Sequence, residues 1–178
     1  YMKYSKLGND DIESFLLRQG MEPYSGGFVN YCLYLVDTER YKAEKYQHNP
    51  IMAKACAFVL HRLCEAQKHL LTVIGETDRF QTDLPFPELK EKVQGILAEG
   101  CNTGDGWLIA AEVIQYVEKG CGSVLILHPF GCLVSHVCER GIWQRLHARF
   151  PDVSIQTIEY DYDQSKTLRE SRILLAIS

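Results

Sequence analysis

Residues 123–132, Ser-Val-Leu-Ile-Leu-His-Pro-Phe-Gly-Cys, constrain this chain more than any other segment. Four apolar residues in a row, Val124, Leu125, Ile126 and Leu127, predict a strand buried on both faces, the habit of parallel sheets. Pro129, Phe130 and Gly131 then stop the strand and deliver a thiol, Cys132. Open α/β sheets bind their ligands just beyond the carboxyl ends of the strands, so Cys132 falls where such a fold does its chemistry.

The surrounding pattern agrees with an α/β class. From Thr103 onward the order reads helix, strand 123–128, basic helix from about Leu133 to Phe150, strand 153–160 and a last helix over 165–177, spaced like parallel β/α units. At the other end, 1–4 and 21–24 read as short strands around a helix. Asn9 is placed to cap that helix, and Asp10 and Asp11 fall in its first turn. The middle reads as helical: 28–46, then a long helix opened by Asn49-Pro50 as cap and first position, then an amphipathic stretch through Leu89, Val93, Ile96 and Leu97. Met52, Cys56, Val59, Leu60 and Leu63 recur at helical spacing in the long one. The expected fold is a Rossmann-like, flavodoxin-like parallel sheet of about four strands flanked by helices. It forms a single α/β domain over 1–178 with a helical insertion over about 28–100. The first expected strand begins at Tyr1 itself, which suggests a piece of a longer polypeptide.

Composition narrows the classes of function. The 178 residues are 46% hydrophobic and 24% charged with a net charge of −4, so no basic field advertises nucleic acid. No apolar run reaches the ~20 residues of a membrane span, and no signal-peptide pattern opens the chain. Seven cysteines form no regular even framework, which favours free thiols in a reducing cytoplasm. The long helices over 31–75 offer surface for a homodimer.

Cys132 is the first candidate for chemistry. A thiol on a turn between strand and helix meets backbone N–H groups and the positive end of a helix dipole, both of which favour the thiolate that ligates metal or attacks an electrophile. His128 and His136 flank it as neighbours or bases, and Cys138 follows. These four are near enough for zinc, yet no Cys-x-x-Cys occurs. His61 and Cys64 are three apart on one helix. Gly104-x-Gly106 could bring donors to a phosphate but falls short of the dinucleotide and Walker patterns, so a tight turn is favoured. The acidic stretch Glu159-Tyr-Asp-Tyr-Asp163 follows a strand, so it faces either the crevice or, as the favoured reading, a solvated rim. Arg140, Arg145 and Arg149 read as a solvated helix face, with a coenzyme phosphate as the alternative for one of them.

His-Pro-Phe-Gly-Cys-Leu-Val-Ser-His at 128–136, preceded by Gly-Asp-Gly-Trp-Leu-Ile-Ala-Ala-Glu at 104–112, resembles the dehydratase-like half of the 2-hydroxyacyl-CoA dehydratase and activase family. It is most similar to the bacterial activators of (R)-2-hydroxyglutaryl-CoA dehydratase, the CoA-substrate-specific enzyme activases. There the wording is close to Gly-Glu-Gly-Trp and Gln-Pro-Phe-Gly-Cys-Leu-Pro-Asn-His. His128, Val134 and Ser135 depart from that pattern. The resemblance implies a C-terminal piece of a low-potential, ATP-coupled electron-transfer system for reductive dehydration of acyl-CoA. It implies an iron–sulfur cluster, with Cys132 as one ligand and the others on an upstream cysteine-bearing domain. ATP would act through an ATPase domain outside this sequence. His128, Gly131 and His136 would lie around the ligand, where a histidine either shifts the cluster potential or marks a degraded site. The parent is then an activase or a related reductase, and the piece by itself is inactive. The alternative from the residues alone is a non-catalytic α/β module that binds a partner and keeps its thiols for structure.

Overall fold

The computed structural model describes residues 2–77 and 80–177. Two compact units divide the chain, one built from 1–25 and 116–178, the other from 26–115.

The second unit is helical. It holds α2 (Phe28–Lys45), α3 (Pro50–Gly75), α4 (Phe86–Lys92) and the larger part of α5 (Gly106–Glu118). The expected start of α3 is found: Asn49 Oδ1 accepts the Met52 N–H at 3.1 Å, and Pro50 takes the first helical position. The core gathers Leu33, Tyr34, Phe86, Leu89, Trp107 and Ile114, with Trp107 edge-on to Tyr34 at 5.1 Å between ring centroids. Buried polar groups tie the helices together. Gln67 donates to Asn30 Oδ1 at 2.6 Å and accepts the Phe86 N–H at 2.9 Å. Asp37, on α2, binds both Arg40 and Lys90. The apolar stripe expected on α3 is split: Cys56 and Leu60 are partly covered, and Met52, Val59 and Leu63 are not. Gln67 is the buried side chain of that helix, while Ile51, Met52, Phe58, Val59, Leu63 and Val73 are exposed. Periodicity located an apolar face but not its exact direction; Cys56 and Leu60 of that stripe are covered together with Cys64 and Gln67, at helical spacing.

The first unit is α/β. It holds α1 (Ile12–Arg18), β1 (Ser123–Pro129), α6 (Arg140–Arg149), β2 (Ser154–Tyr160) and α7 (Lys166–Ile177). β1 and β2 run parallel with Val124 beside Ile155, Leu127 beside Ile158 and His128 beside Glu159. Ile12, Phe15, Ile158 and Ile173 pack as one cluster, joined by Leu125 and Leu127. Along β1, buried residues alternate with half-buried ones, so one face is less covered than the run of four apolar residues suggested.

Among the described residues the sheet has two strands. The strands expected at 1–4 and 21–24 are corrected: Met2–Tyr4 is a 3-10 turn, Tyr1 lies outside the described residues, and 21–24 carries no regular structure. The physical reason at the first lies in Asn9, whose buried amide donates to the Met2 carbonyl at 2.8 Å and gives the turn a partner that a sheet would otherwise supply. Asn9 Oδ1 also meets the Ile12 N–H at 3.3 Å. Asp10 and Asp11 precede α1 in left-handed backbone rather than forming its first turn.

Candidate functional site

Two features meet just beyond the carboxyl ends of β1 and β2. The first is the turn at 129–132. Phe130 N–H donates to the Tyr160 carbonyl at 2.9 Å, fastening the turn to the end of β2. Gly131 takes a φ of 69°, in the left-handed region that a side chain disfavours. Cys132 follows, half-buried, immediately before a helical run over 133–149. The first N–H groups of such a run have no acceptor within the helix, and Cys132 directly precedes them in the chain. Phe130, Leu133 and Val137 are exposed around it.

The helical run contains a feature the sequence did not announce. Ser135–Glu139 is a π-helical turn ahead of α6. Such turns are rare and occur disproportionately at functional sites. This one carries His136, whose Nδ1 lies 2.8 Å from the Cys132 carbonyl. A carbonyl only accepts, so Nδ1 holds the proton and Nε2 presents its lone pair.

The second feature is a group of three side chains. His128 and Glu159 are register partners at the ends of β1 and β2, which places both on one face of the sheet. Glu159 Oε2 lies 3.6 Å from His136 Nε2 and 3.8 Å from His128 Nδ1. The two imidazoles stand edge to face with centroids 5.5 Å apart. His128 is buried, whereas His136 and Glu159 are partly open. One potential metal-ligating atom from each residue falls within 4.8 Å of the others, and no other such cluster of three occurs among the described residues.

The structure therefore brings His128, Gly131, Cys132 and His136 to one end of the sheet, as their spacing suggested. It adds Glu159, for which the sequence favours a solvated rim over the crevice. Cross-strand register was the missing signal: nothing in the linear sequence says that 159 sits beside 128.

The other thiols are placed differently. Cys138 is buried. Burial pushes the Cys121 and Cys64 thiols up, with Asp37 adding to the effect at Cys64, so both disfavour the ligating thiolate. His61 stands exposed beside Glu65. Four cysteines around one cluster are not assembled among the described residues. Gly104-x-Gly106 is a turn at the start of α5, where Trp107 N–H donates to the Cys101 carbonyl at 2.8 Å. Arg149 of the basic face reaches Glu118 at 3.3 Å. No helix among the described residues is long and apolar enough to cross a membrane. No protein family, curated protein or solved structure matched the chain.

Proposed function

We propose that this chain is the iron–sulfur-binding, C-terminal portion of a protein like the 2-hydroxyacyl-CoA dehydratase activases, serving low-potential electron transfer toward an acyl-CoA. The observation that carries the reading is the position of Cys132: a half-buried thiol on the turn beyond β1, ahead of a helical run, with exposed apolar side chains around it. Cys132 supplies one thiolate, and an upstream cysteine-bearing domain supplies the rest. Cys132 directly precedes the helical run, and hydrogen bonds to a ligating sulfur are one of the levers that set a cluster's potential. Exposed Phe130 and Leu133 give the completing domain a surface to cover. The ATPase domain that energises the electron lies outside this sequence, and the piece alone is without activity.

The finer architecture belongs to the same proposal. The parallel β1–β2 pair is the nucleus of a Rossmann-like sheet of about four strands. The exposed apolar side of α3, with Ile51, Phe58 and Val73, is the surface for a partner domain or a second copy. Seven free thiols suit a reducing cytoplasm.

Anaerobic reconstitution of the full-length protein with iron and sulfide tests the reading. Cys132→Ser should lose most of the bound iron and the brown colour, while Cys121→Ser keeps both. Equal iron in Cys132→Ser and the unaltered protein overturns it, and leaves a partner-binding module with structural thiols.

A further inference from the structure

We infer that His128, His136 and Glu159 form a mononuclear site for a divalent ion of the zinc class, separate from any cluster held by Cys132. This goes beyond the reading above, in which the histidines only flank the thiol.

The distances carry the argument. A tetrahedral zinc ion with bonds of about 2.0–2.2 Å holds its ligand atoms about 3.3 Å apart. Glu159 Oε2 stands 3.6 Å from His136 Nε2 and 3.8 Å from His128 Nδ1, only a few tenths of an ångström wider. Both separations exceed a good hydrogen bond, which for nitrogen and oxygen closes to about 2.7–3.2 Å. One nitrogen or oxygen of each of the three groups lies within 4.8 Å of the others, close enough for a single ion to draw them together.

Proton placement points the same way. His136 gives its Nδ1 proton to the Cys132 carbonyl at 2.8 Å, which aims the Nε2 lone pair at Glu159. Anchoring the far nitrogen on a carbonyl is how proteins orient histidine ligands. His128 Nδ1 is 3.3 Å from the Pro129 carbonyl, a long contact that holds a proton there weakly and leaves the other tautomer accessible. His128 is buried at the strand end, so its ring is fixed before an ion arrives. The supports are stiff: two adjacent parallel strands and the π-helical turn.

Two imidazoles and one carboxylate are borderline donors, suited to zinc, ferrous iron or cobalt rather than to magnesium or calcium. Three protein ligands leave a fourth position for water or a substrate oxygen, and the partly open His136 and Glu159 give it access to solvent.

Cobalt(II) titration of the purified, metal-stripped protein is the test, because cobalt reports its ligands in the visible spectrum. The unaltered chain should bind one ion, with tetrahedral d–d bands and no sulfur-to-cobalt charge-transfer band. Glu159→Gln and His136→Gln should each weaken binding by more than the roughly 10–100-fold typical of an outer-shell partner. Zinc should raise the melting temperature of the unaltered chain and leave that of both variants unmoved, each variant having first been shown to melt cooperatively without metal. Should Glu159→Gln not fold, His136→Gln carries the test of ligation by itself. Cys132→Ser should keep the cobalt spectrum intact, so loss of iron in that variant speaks only to the cluster reading. Absence of cobalt binding, a sulfur charge-transfer band, or undiminished binding in His136→Gln overturns the inference.

Discussion

Replacing Gly106 with alanine is the sharpest test of why glycines open α5. Gly106 is buried, has a φ of 39°, and its missing side-chain position is filled by other atoms. A Cβ there would fall inside the Cys101 carbonyl oxygen and 2.5 Å from the Tyr34 hydroxyl oxygen. That carbonyl accepts the Trp107 N–H, so it cannot retreat without losing a helix-start hydrogen bond. Left-handed backbone costs an alanine about 1–2 kcal/mol, and overpacking a filled site adds about 1–3 kcal/mol. The stiffer unfolded chain returns about 0.4–1 kcal/mol. The expected loss is therefore about 2–4 kcal/mol. Gly95 provides the control within the same unit: its φ is 78° and nothing lies within 4 Å of its Cβ position. Gly95→Ala bears the backbone term alone and should lose no more than about 1 kcal/mol. Urea unfolding followed by the fluorescence of buried Trp107, in a Trp143→Phe background, measures both. If Gly106→Ala loses no more than Gly95→Ala, the crowding argument fails, and a Gly-x-Gly loop open to a phosphate returns.

Two further outcomes follow from buried polar groups. Gln67→Ala strands the buried Asn30 amide and the Phe86 N–H, and should cost about 2–3 kcal/mol in urea unfolding, against within about 0.5 kcal/mol for Phe58→Ala on the exposed side of α3. Tyr160 tests the alkaline limb. Burial pushes its phenol up to about 12, opposed by the Arg169 guanidinium and assisted by Asp10. The unfolded phenol ionises first, near 10, so the stabilisation is whole below that pH and is lost as pH rises toward 12. Allowing for its partial exposure, Tyr160→Phe should remove about 1 kcal/mol of pH dependence in this window. A variant that melts along the same alkaline curve as the unaltered chain refutes this.

Several local elements were legible because each depends on its own residues. The apolar run at 124–127 makes β1, Asn49-Pro50 starts α3, and the spacing after 104 makes α5. Reading failed where a backbone's partner came from afar. Tyr4 and Met21 sit in strand-like sequence, yet no strand pairs with them, and Asn9 draws the first segment into a turn. Met52 and Val59 show the same limit from the other side. Spacing marks an apolar helix face, but only tertiary structure says whether this chain covers it.

The candidate site divides along the same line. His128, Gly131, Cys132 and His136 lie within nine consecutive residues, so strand, turn and helix bring them together by local geometry, and sequence sufficed. Glu159 joins them through the pairing of β1 with β2, which sets residue 159 beside residue 128. That register is fixed by which faces of the two strands are buried, a property of the packed molecule. The π-helical turn that aims His136 is likewise a product of packing, since no residue propensity encodes it.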